Sequence, residues 1–311
     1  MIPISTTHWQ GPSWKKSYAE AIQDPLTLLQ MLKLPDSYLP AAKVAAELFP
    51  LRVPKEFIAK MRLSDPDDPL LLQVLPLHAE SIEDPRYTKD PVGDLSATAT
   101  PGLIHKYHGR VLLMLTGACA VHCRYCFRRH FPYSDNAVTD VSWSNLVHYI
   151  RADKTISEVI FSGGDPLSLS DKRLADMIKS LQTIGHLKRL RIHTRLPVMI
   201  PSRLSADLLK ILANCQLKVI LVLHINHAQE IDAELIRKCN QLSKIGVQLL
   251  NQSVLLRRIN DNCAALVDLS EALFGAGILP YYLHFLDKVQ AATHFEVAEF
   301  RAQKLWSQIN A

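Results

Sequence analysis

The sequence predicts an α/β fold in which a helical preface precedes a partial (β/α)6 barrel of the TIM-like kind, open on one side. From residue 111 onward, short apolar runs alternate with amphipathic segments, the pattern of parallel strands joined by helical crossovers. Each apolar run also ends in polar or glycine-rich text. A barrel collects such groups from all its strands onto one face, whereas a doubly wound sheet concentrates them at one switch point.

Residues 1–100 read as an N-terminal helical region, with helices expected at Tyr18 to Leu32, Asp36 to Leu48 and Pro54 to Met61, Pro54 serving as a first-turn proline. Asp65 to Leu71 and Asp84 to Gly93 are Pro/Asp-rich and read as turns. The barrel domain is expected over 101–311. Its strands are Val111 to Leu115, Glu158 to Phe161, Arg189 to Ile192, Leu217 to Leu223, Val247 to Leu250 and Ile278 to Leu283. The crossovers include Asp171 to Ile184, Glu230 to Ile245 and Asn262 to Gly275, and a last helix runs from about His294 to Ile309.

In 311 residues, 48% are hydrophobic and 21% charged, which excludes a disordered or fibrous chain. The net charge of +5 is spread along the chain. DNA is therefore not an expected partner, while a small anionic substrate fits. The N-terminal text has no apolar run suited to a signal, and no stretch approaches the ~18 apolar residues of a membrane span, so a cytoplasmic location without a membrane partner is expected.

Six cysteines in a reducing compartment point to metal or redox chemistry where they cluster. Cys119, Cys123 and Cys126 do, directly after the first apolar run, with Tyr125 before the last of them. Three thiolates without a fourth suit a 4Fe-4S cluster whose remaining iron is open to an exogenous ligand. Zinc is the alternative and would have to recruit His122, His130 or a distant residue. Cys215, Cys239 and Cys263 read as core or surface fillers.

The C-x3-C-x-Tyr-C spacing after the first barrel strand resembles the radical S-adenosylmethionine superfamily, which implies a [4Fe-4S] cluster and S-adenosyl-L-methionine. Within it, Cys126-Phe-Arg-Arg-His-Phe131, Phe161-Ser-Gly-Gly-Asp-Pro-Leu167, Arg191-Ile-His-Thr-Arg-Leu-Pro197, His224-Ile-Asn-His227 and Asn251-Gln-Ser-Val-Leu-Leu256 resemble lysine 2,3-aminomutases. The resemblance is nearest to the short branch that supplies (R)-β-lysine for modification of elongation factor P. It runs from about residue 20 to the C-terminus.

The resemblance implies roles residue by residue. Tyr125 packs near the adenine, while Ser162, Gly163, Gly164 and Asp165 meet the methionyl group of S-adenosylmethionine; taken alone, that segment reads as a turn. The strand-end groups Arg195, His224, Asn226, His227 and Gln252 are expected to line the cavity that holds S-adenosylmethionine and the second cofactor, with His224 and Gln252 chosen as ligands, although a strand-end histidine is more often structural. Arg128 matches the arginine that holds the substrate carboxylate, a bidentate geometry that suits guanidinium. The plain reading of Arg128 is a solvated loop charge. Asp287 matches a carboxylate that reads the lysine ε-ammonium, and its plain reading is a salt bridge to Lys288. Lys106 and Arg110 are candidates for the phosphate of pyridoxal 5'-phosphate, or else surface charges.

By the same resemblance the activity is an isomerase reaction, conversion of free L-lysine to (R)-β-lysine. A flavodoxin or ferredoxin would be the reductant, and elongation factor P with its lysyl ligase the pathway partners. The family's cofactor-anchoring lysine, in a short glycine-containing segment, has no match before Ala311, so a missing C-terminal tail is expected. The alternatives are a catabolic aminomutase, a zinc-stabilised nucleic-acid-binding module and an inactive interaction protein. Oligomeric state, a homo-oligomer included, stays open.

Overall fold

The computed structural model describes residues 13–136 and 138–309. In the N-terminal region the expected first helix is two helices, α1 (Trp14–Ala19) and α2 (Pro25–Met31). Asp24 caps α2 by accepting from the Thr27 amide at 2.8 Å, and Pro25 occupies its first turn, so the helix starts anew there. The expected second and third helices are shorter than the sequence suggests, α3 (Leu39–Leu48) and a single turn α4 (Lys55–Ile58).

One eight-stranded sheet follows, with its strands in sequence order. β1 (Thr98–Thr100), β2 (Leu103–Tyr107) and β3 (Arg110–Met114) are antiparallel neighbours. From β3 onward every pairing is parallel: β4 (Glu158–Ser162), β5 (Arg189–Thr194), β6 (Lys218–His224), β7 (Gln248–Val254) and β8 (Leu279–His284). The first and last strands do not pair, so the barrel stays open as expected. The six expected strands are present. The β1–β2 arm is additional, and it begins three residues before the expected domain boundary.

The helices following the parallel strands are α5 (Asp140–Ala152), α6 (Asp171–Gln182), the short α7 (Leu196–Met199), α8 (Ala206–Ala213), α9 (Ala233–Lys244), α10 (Cys263–Gly275) and α11 (Glu299–Ile309). Side-chain caps fix where several of them begin. Ser170, Ser205, Asp232 and Asn262 each accept a backbone N–H from the first turn of α6, α8, α9 and α10. Each cap sets the point where the chain turns back across the sheet.

β4 is buried at all five positions, as an inner parallel strand must be. The N-terminal region contributes Leu28 of α2, Phe57 of α4 and Leu70 of the turn beyond to the same core cluster as Leu113, Phe161 and Leu221 of the sheet. Each such side chain contributes roughly 1.5–3 kcal/mol by leaving water. The helical region is thereby packed over the start of the barrel, next to the loop that follows β3. Among the described residues no helix is long and apolar enough to cross a membrane.

Candidate active site

The cysteine loop leaves β3 and is held from two sides. Toward β4, the Gly164 amide donates to Thr116 O at 2.6 Å and the Asp165 amide to Ala118 O at 2.8 Å. Gly163 has φ +125°, and a Cβ there would lie 2.4 Å from Thr116 O; at Gly164 it would lie 2.5 Å from Ala118 O. Glycines at a strand end suit the close approach of a ligand, yet what presses against these two is the backbone of the cysteine loop. They still line the cavity.

On the opposite side, Arg124 is fully buried and donates from Nε and Nη2 to the two Glu80 carboxylate oxygens at 2.8 and 2.6 Å. Arg129 Nη2 adds a third donor to Glu80 at 3.0 Å. The Arg124 amide donates to Gln73 O at 2.9 Å. The loop is thus clamped between the β4 end and the helical preface.

Cys119, Cys123 and Cys126 are free thiols on the wall of one cavity of about 500 Å³ at the C-terminal ends of the parallel strands. Burial pushes the Cys119 thiol far up and Cys126 to about 11, with Cys123 adding to the latter. Iron binding must therefore displace protons. Among the described residues no three Cys, His, Asp or Glu side chains converge to hold a single metal ion, so the zinc alternative has no preformed cage. A cluster needs only three thiols facing a common space, which this loop supplies.

The cavity also gathers the other expected groups. Arg128 Nε donates to Asp94 Oδ2 at 2.7 Å and its Nη1 to Ser162 Oγ at 3.3 Å. Lys106 Nζ donates to Asp94 Oδ1 at 2.6 Å. Lys106 lies in β2 and Arg110 opens β3, and both line the cavity with His224, Gln252 and Asp287. Asp287 has no ion-pair partner among the described residues. Lys288 pairs with Glu296 instead at 3.8 Å, so the plain reading of Asp287 does not hold. Burial raises the Asp287 carboxyl, against the pull of His284 and Arg128.

Three expectations need correction. Asp165 lines the cavity, but its carboxylate is already engaged, accepting from Leu167 N, Thr194 Oγ1, Arg195 N and Leu196 N at 2.7–3.0 Å. It staples the ends of β4 and β5 and has no lone pair free to meet an ammonium group. His227 is off the cavity wall; its Nδ1 accepts from the Gln229 amide at 3.2 Å, capping a short turn. Asn226 is fully buried behind the wall, donating to Tyr125 Oη at 2.7 Å and Gln73 Oε1 at 3.0 Å.

Sequence reasoning missed Asp94, His193, Gln73 and Glu230. Asp94 and Gln73 lie in or beside text that reads only as turns, and nothing local marks them. His193 stands in the strand-end text of β5, and its Nε2 is buried without a partner among the described residues. Burial lowers His193 and His224 to about 3, so both are neutral near pH 7.

The family pattern of the Radical SAM superfamily matches residues 113–263, the stretch that runs from β3 to the start of α10 and carries the three cysteines. Fold and site together define a radical S-adenosylmethionine enzyme, which implies a 4Fe-4S cluster and S-adenosylmethionine as its cofactors. Three curated relatives named L-lysine 2,3-aminomutase narrow the class. That of Escherichia coli K12 is 46% identical over 95% of this chain and 86% of its own length. That of Haemophilus influenzae is 46% identical over 100% and 92%, and that of Buchnera aphidicola 48% identical over 93% and 85%. The chain belongs to the L-lysine 2,3-aminomutase family, a family of radical isomerases.

Proposed function

We propose that the protein converts free L-lysine to (R)-β-lysine for β-lysylation of elongation factor P, using a [4Fe-4S] cluster on Cys119, Cys123 and Cys126, S-adenosylmethionine and pyridoxal 5'-phosphate. The observation that carries this reading is the single cavity shared by the cysteine loop, Arg128, Lys106, Arg110 and Asp287. When bound, the cluster with S-adenosylmethionine supplies a hydrogen-abstracting radical, and pyridoxal phosphate supplies a ring that delocalises the unpaired electron during nitrogen migration.

The chain's own residues do the positioning. With Nε on Asp94 and Nη1 on Ser162 Oγ, Arg128 is held with Nη2 turned to the substrate carboxylate, a grip that has no purpose on a lysine inside a peptide. Asp287, without an ion pair among the described residues, accepts the ε-ammonium. Two opposite charges at the two ends of lysine fix which C–H bond faces the radical source. Lys106 and Arg110 suit the phosphate, Tyr125, His224 and Gln252 the S-adenosylmethionine. In this reading residues 1–100 cap a catalytic barrel of residues 101–311, and the reductant is a flavodoxin or ferredoxin.

Anaerobic iron and sulfide quantification after reconstitution, on wild type and Cys126→Ala, tests the class: about four irons, lost in the variant, are expected. A colourless protein with one zinc would end the reading. Formation of β-lysine from lysine tests the reaction. Arg128→Ala is expected to raise the KM for lysine with the cluster spectrum unchanged; loss of the cluster in that variant would defeat the role given to Arg128. Growth-linked loss of β-lysyl-elongation factor P on gene deletion separates the proposed pathway from lysine catabolism.

A further inference from the structure

Arg195 follows β5 directly and lines the cavity, with its guanidinium buried against the cysteine loop. Its Nη1 donates to Cys123 Sγ at 2.8 Å and also to Tyr125 Oη. Its Nη2 donates to Gln73 Oε1 at 2.6 Å and to Glu230 Oε2 at 3.0 Å. Its Nε is buried with no partner among the described residues. The backbone amide of Arg195 is fixed by Asp165 Oδ2 at 2.7 Å, so the β4–β5 staple described above aims the guanidinium.

We propose that Arg195 is a positioning residue that hydrogen-bonds the sulfur of Cys123 in the loaded protein and sets the reduction potential of the 4Fe-4S cluster. This rests on the radical S-adenosylmethionine reading of the site. Glu230 is fully buried and neutralises the guanidinium, so Arg195 brings directed donors to the cluster without adding net charge. A hydrogen bond to a cluster sulfur stabilises the extra electron of the reduced state and raises the potential. Gln73 and Asn226 hold Tyr125 and Arg195 in one network, which explains why these strand-end groups face inward.

The test uses the reconstituted protein and reads the cluster directly. In Arg195→Lys the charge opposite Glu230 is kept and the Nη1 donor to Cys123 is lost; a midpoint potential more negative than wild type is expected at equal iron content. A potential equal to wild type would overturn the proposal. Should the variant fail to hold its cluster, wild-type protein labelled with guanidino-15N arginine decides: pulsed EPR of the reduced cluster is expected to show a coupled 15N. Its absence would overturn the proposal with the cluster intact. Wild type that reconstitutes no 4Fe-4S cluster would instead remove the underlying reading, and the proposal with it.

Discussion

Asp94 accepts from Arg128 Nε at 2.7 Å with one carboxylate oxygen and from Lys106 Nζ at 2.6 Å with the other. One buried carboxylate therefore aims both the proposed carboxylate clamp and a proposed phosphate ligand. Burial pushes the Asp94 carboxyl up, but Arg128 and Lys106 outweigh it and hold it below the usual range. Asp94→Asn halves this support. A charge-assisted hydrogen bond is worth about 1.5–3 kcal/mol, so a KM for lysine raised on the order of tenfold or more is expected. Steady-state kinetics with iron content measured in parallel checks it, the iron remaining as in wild type.

Asp287 leads to a paired prediction. Its folded pKa is raised by burial, so ionising it near pH 7 opposes folding, and the penalty grows as pH rises through the folded pKa. Asp287→Asn should therefore raise the thermal midpoint of the apoprotein at neutral pH while weakening lysine binding. In wild type the KM for lysine should rise on acidification at a pH above the ordinary carboxylate range. A variant that loses stability and keeps its KM would show that Asp287 is structural.

His193 and His224 make the fold acid-sensitive. Their pKa values fall from 6.5 to about 3 on burial, so the folded chain binds fewer protons than the unfolded chain between those limits. The sign follows: their contribution is fully present above pH 6.5 and is lost as pH falls toward 3. The thermal midpoint of the apoprotein should decline below pH 6.5, and the decline should be shallower in the His193→Gln, His224→Gln double variant. Calorimetry across that range checks it.

What the sequence discloses and what it hides have physical reasons. The six parallel strands were legible because buried strands are uninterrupted apolar runs, and the cysteine spacing because it is local. The β1–β2 arm was not, since three-residue β1 and half-exposed β2 lack both a run and a clean alternation. The break between α1 and α2 is legible at Asp24-Pro25, a cap followed by a first-turn proline, although the apolar spacing runs on across it. Asp94, Gln73 and Glu230 become visible only when chain segments far apart in sequence meet, as Gln73 and Arg195 do at 2.6 Å. The internal role of Asp165 is hidden in the sequence because its four donors come from backbone and side chain that no motif displays.

The glycines of the β4 end offer a sharp contrast. Gly164→Ala would set a Cβ 2.5 Å from Ala118 O and 2.7 Å from the Gly117 carbonyl carbon, both backbone, so the cysteine loop must shift. Gly185 has nothing within 4 Å of its Cβ position. Gly164→Ala is expected to lower iron incorporation severalfold, whereas Gly185→Ala should leave iron content unchanged. Equal iron content in the two variants would refute the packing role given to Gly164.

The Arg124–Glu80 pair sets the other boundary of the loop. Both side chains are fully buried, and Glu80 accepts from Arg124 twice, from Arg129 and from the Leu77 amide at 3.1 Å. Glu80→Gln keeps the shape but leaves two buried guanidinium groups without a counter-charge. Removing one partner of a buried pair typically costs about 3–5 kcal/mol, most of it the penalty of the stranded charge. Chemical denaturation of the apoprotein should show a loss of that order. Adding Arg124→Met to Glu80→Gln should recover part of it, because one stranded charge goes, while Arg129 keeps the remainder unrecovered. If the double variant is as unstable as the sum of the singles, the two residues are not coupled and the clamp is not electrostatic.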